Sequence, residues 1–189
     1  MSDIPDRPPE PPSVLDELPG ELMIWVLIVS ELLVFGAGLL AFLGIRVSDP
    51  AGFALAQDHL NRVAGALNTV VLVTSGWMAA MATRSAGTNP ARTRAWLAGA
   101  LGLGGLFMGV KWIEYSQHFR DGFTIESDDF FTFYYLLTGF HAAHVLAGLV
   151  IFALLIWRPR PHLIEAGAQF WHMVDLVWVL LFPIVYLVR

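Results

Sequence analysis

The chain has 189 residues, of which 56% are hydrophobic and 14% are charged, and its formal net charge is −5. Soluble domains carry about 45–50% apolar and about 25% charged residues, so too few charges are present here to cover a water-facing surface. The sequence contains no cysteine, which excludes disulfides, zinc–thiolate sites, iron–sulfur clusters and c-type haem attachment. The acidic balance argues against nucleic acid as a partner. The composition therefore predicts a single domain that lies in a membrane.

The first segment, residues 1–21, is acidic and holds six of the eleven prolines. Low hydrophobicity and a high proline content predict a disordered tail. The segment has neither a basic start nor an early apolar stretch, so we expect no cleavable signal peptide. The remaining residues, 22–189, are predicted to form one membrane domain.

Five apolar stretches follow the tail, and each is long enough to cross a hydrocarbon core, which needs about 20 apolar residues per helix. We expect an all-α bundle of five transmembrane helices, joined by short loops rich in proline, glycine, aspartate and asparagine. Basic residues near the span ends are slightly more numerous on the N-terminal side, which predicts an N-terminus inside and a C-terminus outside. The predicted spans cover about residues 22–45, 63–82, 95–119, 130–157 and 167–188.

Small residues predict where these helices pack, because lipid tails solvate leucine as well as a neighbouring helix does. The third span contains the GxxxG pair Gly105 and Gly109, and the fourth has Gly139 and Ala143 at a spacing of four. Pro183 is expected to kink the fifth span, because proline removes a backbone hydrogen bond from a helix.

Several ionisable side chains lie within the predicted spans, where each is costly unless it is paired or faces a polar cleft. Lys111 and Glu114 are three residues apart near the end of the third span, so we interpret them as an interfacial ion pair whose charges reach toward the headgroups. Five others lie at similar depths in three spans. They are Glu31 in the first span, His141 and His144 in the fourth, and His172 and Asp175 in the fifth.

Three kinds of site fit these five residues. Histidines and carboxylates in a helix bundle could hold a metal, although the Glu-x-x-His pairs of di-metal proteins are absent from this sequence. His144 and His172 could ligate a b-type haem. A structural cluster of hydrogen bonds could instead line a cleft filled with lipid or water. A transporter would also bury carboxylates, but we find no inverted repeat in the sequence. The spacing alone does not decide between the metal site, the haem site and the structural cluster.

The motifs around these residues resemble those of a known family. The first span contains SELLVFG at residues 30–36, and the second contains LNT at 67–69. The fourth contains T-G-x-H-x-x-H at 138–144, and the last contains W-H-x-x-D-x-x-W at 171–178. In this order they closely resemble subunit III of the haem–copper oxidases, the cytochrome c oxidase subunit 3 family, over about residues 20–188.

The resemblance implies a non-catalytic subunit that has no haem, copper or other metal of its own. Such a subunit packs against a catalytic subunit I, holds phospholipid in a cleft between its helices and supports proton uptake. Glu31 and His144 match residues that line this cleft in relatives, and Arg158 or Arg160 is placed to hold a lipid phosphate. We therefore expect a multi-pass protein of the bacterial inner membrane, with the catalytic subunit and phospholipid as its partners.

The resemblance includes one departure, since the mitochondrial form has seven helices and five are predicted here. Five-helix relatives occur in bacterial quinol oxidases and as the accessory subunit of nitric oxide reductases. The acidic tail and the first span are most similar to the nitric oxide reductase type, which we therefore expect. The alternative is subunit III of a terminal cytochrome c or quinol oxidase. A more distant alternative is an electron carrier with haem or metal on His141, His144 and His172.

The residues and the resemblance together suggest one buried polar layer. Its members would be Glu31, His144, His172 and Asp175, with His141 close by in the same cleft. Asp175 would orient His172 from one helical turn away, and Glu31 would be protonated or hydrogen-bonded.

Overall fold

The computed structural model describes residues 22–188. The predicted tail, residues 1–21, lies outside the described residues. Within residues 22–188 the structure contains six α-helices and a closing π-helical segment, and no strand. Five helices are long and apolar enough to cross a membrane, which confirms the predicted helical class and the number of spans. The elements are α1 (Leu22–Ser48), α2 (Pro50–Gln57), α3 (Arg62–Ser85), α4 (Pro90–Arg120), α5 (Asp129–Trp157), α6 (Pro161–Phe182) and the π-helical segment Pro183–Leu187.

Side-chain caps determine where four of the helices begin. Asp49, Asn61, Asn89 and Asp128 each accept a hydrogen bond from the backbone N–H three residues later, at 2.8–3.0 Å. Such a cap satisfies one of the backbone donors that a helix start leaves unpaired. In α2 and α4 a proline follows the cap, at the position where a helix needs no N–H.

The short helix α2 differs from the sequence prediction, which has a loop over residues 46–62. Its Phe53 is 5% exposed and lies between two other rings, with centroids 5.4 Å from Phe42 and 5.7 Å from Phe130. An eight-residue helix is too short to resemble a membrane span, so the Pro, Gly and Asp content of residues 46–62 favours a loop prediction. The aromatic contacts instead fold α2 onto one end of the bundle.

Helices α3 to α6 form the main bundle, and α1 lies against its side. Helix α3 packs against α4 and α6, α5 packs against α4 and α6, and α1 packs against α5 and α6. The contact of α1 uses Phe35, Leu39 and Phe42, which are buried, whereas most of its other side chains are exposed. Helix α6 is therefore central, because it contacts α1, α3 and α5.

Two glycines make room for the indole ring of Trp171 in α6. A Cβ atom at Gly104 would lie 2.8 Å from ring atom Cη2 of Trp171, and a Cβ at Gly148 would overlap the same ring. A Cβ at Gly105 or Gly109 would meet nothing within 4 Å. The prediction of close packing at the GxxxG pair is therefore wrong. The close approach is one residue earlier, about 100° around the helix, where α4 faces the core.

Pro183 changes the type of helix. The chain continues beyond Phe182 as a π-helical turn, in which the backbone N–H of Val188 donates to the carbonyl of Pro183 at 2.9 Å. Proline cannot donate the bond that would continue the α-helical ladder. In place of the predicted kink, the structure has a wider helical turn at Pro183. This turn places Tyr186 in the core, where it is fully buried.

Side chains from α1 and α2 hold the π-helical segment in place. Gln57 Nε2 donates to the carbonyl of Val185 at 2.7 Å, and Arg46 Nη1 donates to the carbonyl of Val188. Gln57 is 2% exposed, so this end of the bundle is closed by buried hydrogen bonds as well as by aromatic packing.

Candidate functional site

The predicted pair Lys111 and Glu114 lies in a hydrogen-bonded network that joins α4, α5 and the π-helical segment. Lys111 Nζ lies 3.1 Å from Glu114 Oε2 and donates to the hydroxyl oxygens of Tyr134 and Tyr186 at 3.0 and 2.9 Å. Both tyrosine hydroxyls donate in turn to Glu114 Oε1, at 2.9 and 2.7 Å. An ammonium group has three protons, so every donor of Lys111 has a partner.

This network lies in the interior of the bundle. Lys111 is 2% exposed and Glu114 is 7% exposed, and the ammonium lies 4.9 Å from the ring centroid of Tyr115. The structure therefore pairs the two residues but does not place their charges at the surface, as an interfacial pair would require. The difference comes from Tyr134 and Tyr186, which are 20 and 72 residues from Glu114 along the chain and carry no local sequence signal.

Glu31 on α1 and His144 on α5 form a second contact, with Oε2 and Nε2 3.2 Å apart. His144 Nδ1 lies 2.9 Å from the backbone oxygen of Phe140. A carbonyl oxygen can only accept, so Nδ1 carries a proton, and Nε2 of the neutral ring is then an acceptor. Two acceptors at this distance repel each other unless a proton lies between them. Glu31 Oε2 has no hydrogen-bond partner within residues 22–188, and a proton on either residue would relieve this repulsion.

An apolar groove with a volume of about 450 Å³ lies between α1, α5 and α6, near this pair. Leu27, Leu154 and Ala166 represent the three helices in its lining, which also includes Phe170. The ring of Phe170 also stacks on His144, with centroids 6.4 Å apart. The Glu31 and His144 side chains are 23% and 15% exposed, so the pair is only partly buried.

The predicted phosphate-binding arginines lie near the other end of the groove. Arg158 follows the last residue of α5, and Arg160 precedes the first residue of α6. Both are exposed, and the Arg158 guanidinium lies 4.9 Å from the ring centroid of Trp157. Since Leu154 and Leu163 line the groove, both arginines are within two helical turns of it along the chain.

His172 and Asp175 form a third pair, with Nδ1 and Oδ2 3.6 Å apart. Asp175 packs against α3, where a Cβ at Gly76 would overlap its Oδ2 atom. The His172 side chain is 48% exposed. The hypothesis of one buried layer therefore does not match the structure, which places this pair between α3 and α6 and the pair of Glu31 and His144 between α1 and α5. The physical reason is that position 175 lies on the face of α6 that meets α3, and position 172 lies at the exposed edge of that face.

His141 is separate from both pairs. It is 1% exposed, and neither ring nitrogen has a hydrogen-bond partner in the described part of the chain. Its ring packs against Phe107 and Trp178, with centroids 5.7 and 5.1 Å apart. His144 and His172 face different helix interfaces, unlike the two axial ligands of one haem. Among residues 22–188, no group of three or more acidic or histidine side chains could hold a metal ion.

The last motif, W-H-x-x-D-x-x-W, attaches α6 to α3. Trp171 Nε1 donates to Ser75 Oγ at 3.1 Å, and Trp178 Nε1 donates to Thr69 Oγ1 at 3.0 Å. Together with Asp175, the two tryptophans have spacings of four and three residues, which place all three on one helical face. This spacing is a sequence signal for the α3 contact that was not among the predicted features.

The fold and its polar pairs thus define a five-span α-helical membrane protein, and comparison with known proteins identifies the family. The family described as "Cytochrome c oxidase subunit III" matches residues 20–188. The probable cytochrome c oxidase subunit 3 of Mycobacterium leprae is 31% identical over 176 residues, which cover 88% of this chain and 86% of that protein. The cytochrome c oxidase subunit 3 of Synechocystis is 29% identical over 170 residues, which cover 85% of this chain and 72% of that protein. The chain belongs to the cytochrome c oxidase subunit III family.

Membership confirms the resemblance inferred from the sequence. Members of this family are non-catalytic accessory subunits of cytochrome c oxidase, a complex of the respiratory chain. They associate with subunit I of a haem–copper oxidase. The chain is accordingly a multi-pass bacterial membrane protein without an active site of its own. The comparisons do not support the more specific expectation of a nitric oxide reductase accessory subunit, since the relatives are named as cytochrome c oxidase subunits.

Proposed function

We propose that the chain is subunit III of a bacterial terminal oxidase, packed against a haem–copper catalytic subunit in the inner membrane. The observation that carries this proposal is the family match over residues 20–188, which includes all five candidate spans. The bacterial relatives named as cytochrome c oxidase subunits favour an oxidase over a nitric oxide reductase.

The test is affinity purification of the tagged full-length chain from its native membrane, followed by metal analysis of the complex. We expect a co-purifying membrane subunit with haem iron and copper at one active centre. A partner with haem and non-haem iron but no copper would overturn the proposal in favour of a nitric oxide reductase. If no haem-containing partner is recovered, the assignment to a respiratory complex fails as well.

We further propose that the subunit carries no haem or metal of its own. The separation of His144 from His172 and the aromatic surroundings of His141 support this proposal. The isolated subunit should show neither a Soret band in its visible spectrum nor a stoichiometric metal. A bound haem would restore the electron-carrier alternative.

We propose a phospholipid as the ligand of the groove between α1, α5 and α6. The groove is apolar and has a volume of about 450 Å³, which suits an acyl chain, and exposed Arg158 and Arg160 near its end suit a phosphate. Native mass spectrometry of the purified subunit should therefore show retained phospholipid. Ala166→Phe, which fills the groove, and Arg158→Gln should each reduce retention. Arg84→Gln, at the end of α3, serves as the matched control and should have no effect.

The orientation with the N-terminus inside is also part of the proposal. Because the chain has no cysteine, single cysteines can be labelled without background. A cysteine at Glu126, between α4 and α5, should react with a membrane-impermeant maleimide added outside the inner membrane, and one at Thr88, between α3 and α4, should not. The reverse pattern would invert the orientation.

The pair of Glu31 and His144 is proposed to support proton uptake by the complex, because a carboxyl oxygen and an imidazole nitrogen that can each carry a proton lie 3.2 Å apart in a partly buried position. Glu31→Gln removes the exchangeable carboxyl proton while keeping a hydrogen-bonding side chain. The variant complex should lose oxidase activity over fewer turnovers than the wild type, whereas His162→Gln, at the exposed start of α6, should not. Equal persistence of activity in both variants would remove this role.

A further inference from the structure

His172 is a half-exposed ionisable side chain in the middle of a membrane span. The helical region Pro161–Leu187 has 27 residues and is about 40 Å long, and His172 lies about 16 Å beyond its start. The side chain is 48% exposed. An ionisable group that faces hydrocarbon at such a depth is costly, and residues of this kind almost always face other protein or a water-filled cavity.

Asp175 determines how the imidazole of His172 is presented. Its Oδ2 atom lies 3.6 Å from His172 Nδ1, and the carboxyl group is held against α3 at Gly76, where there is no side chain to displace it. Of the two neutral tautomers, the one with its proton on Nδ1 turns that proton toward Asp175 and leaves Nε2, on the opposite edge of the ring, as an acceptor. In this tautomer the pair offers an acceptor on a half-exposed ring that lies beside a buried acid.

Beyond His172, toward the C-terminal end of α6, the exposed surface is apolar. Leu176 and Val179 follow His172 on the same face of α6, at spacings of four and seven residues, and are 47% and 42% exposed. Val73, one turn before Gly76 on α3, is 50% exposed. The polar side chain of Gln169 lies one turn before His172 on α6, and its Oε1 atom has no hydrogen-bond partner among the described residues. A lipid headgroup does not reach this depth, so a donor from another membrane-embedded chain would satisfy an acceptor on this face.

We propose that the strip formed by His172, Leu176 and Val179 docks on a transmembrane helix of the catalytic subunit, which donates a side-chain hydrogen bond to His172 Nε2. The inference rests on the proposed function, because it takes its partner from the oxidase complex. A single polar contact in an apolar strip determines both the rotation and the depth of the docked helix, since a mismatch leaves the acceptor unpaired in hydrocarbon.

The first experiment substitutes His172 in the tagged full-length chain and measures how much catalytic subunit co-purifies with it. His172→Leu should retain about three- to thirtyfold less, the range expected for one interhelical hydrogen bond in a membrane. His172→Gln, whose side-chain oxygen can replace Nε2 as acceptor, should retain nearly as much as the wild type. His162→Leu, near the start of the same helix, is the matched control.

The amount of folded subunit separates a docking defect from a folding defect. His172→Leu places an apolar side chain on a lipid-facing surface, so the subunit expressed without its partner should be as heat-stable as the wild type or more so. A variant that is unstable by itself would assign His172 a role in folding and overturn the proposal.

The second experiment places a photo-crosslinking phenylalanine analogue at Leu176 in the native complex. We expect a covalent adduct with the haem-containing subunit, and none from Leu146, which is exposed on α5. An adduct with a second copy of the chain, or an adduct from Leu146 only, would overturn the docking proposal. If the wild-type chain recovers no haem-containing partner at all, the proposed function has failed rather than the choice of surface.

Discussion

Replacing Lys111 by methionine tests whether the buried network stabilises the bundle. The substitution removes three hydrogen bonds that the ammonium group makes at 2.9–3.1 Å. It also leaves the Glu114 carboxylate, which is 7% exposed, without its cation. Breaking a buried pair in this way costs about 3–5 kcal/mol of unfolding free energy, whereas an exposed pair is worth about 0–1 kcal/mol.

A double substitution isolates the charge from the packing. In Lys111→Met with Glu114→Gln the buried charge is gone, and the amide oxygen can still accept from Tyr134 and Tyr186. The double variant should therefore be more stable than Lys111→Met alone by about 1–3 kcal/mol. Such a gain would show that the unpaired carboxylate accounts for much of the loss.

The measurement is equilibrium unfolding of the purified subunit by sodium dodecyl sulfate in mixed micelles, followed by helical circular dichroism. Arg120→Met, at the exposed end of the same helix, is the control and should change little. A loss below about 1 kcal/mol for Lys111→Met would mean that the pair behaves as an interfacial one. Strictly additive effects of the two substitutions would likewise refute the argument from an uncompensated charge.

Three further tests address other parts of the structure. Gly148→Ala drives a methyl group into the Trp171 ring and should cost about 1–3 kcal/mol in the same assay, whereas Gly105→Ala meets open space and should be neutral or slightly stabilising; equal effects would contradict the packing described. Glu31→Gln can donate an N–H to the facing imidazole, so the subunit should still co-purify with its partner, and failure to do so would show that the carboxyl group is needed for assembly. Asn89→Ala removes the cap of α4 and should cost about 0.5–2 kcal/mol, measured as a lowered unfolding midpoint.

The spans and many helix boundaries were predictable because their causes are local. A run of apolar residues long enough to cross a bilayer identifies each span. Asn89 and Asp128 cap α4 and α5 and are local signals of this kind, although the predicted third span begins at residue 95, later than the helix itself. Helix α2 was not predictable in this way, because burial of Phe53 depends on rings supplied by two other helices.

The polar contacts were only partly predictable, for a different reason. A spacing of three residues correctly places Lys111 beside Glu114 and His172 beside Asp175, because it brings side chains to one helical face. Spacing does not say which neighbour that face meets. The sequence therefore does not predict the hydrogen bond between Lys111 and Tyr186, which depends on the π-helical turn that begins at Pro183.

The rotation of α6 explains why residues that are adjacent in its sequence contact different parts of the bundle. Trp171 and Trp178 are fully buried and donate hydrogen bonds to α3, whereas Phe170 reaches the groove beside α5 and His172 points outward. The effect of a substitution in α6 should therefore depend on which face of the helix the residue occupies, and not on its distance along the chain. Changes at the two tryptophans should lower the stability of the isolated subunit, and changes at His172 should lower only its retention in the complex. The same motif thus combines internal packing with an outward-facing polar contact, because each successive residue turns about 100° around the helix axis.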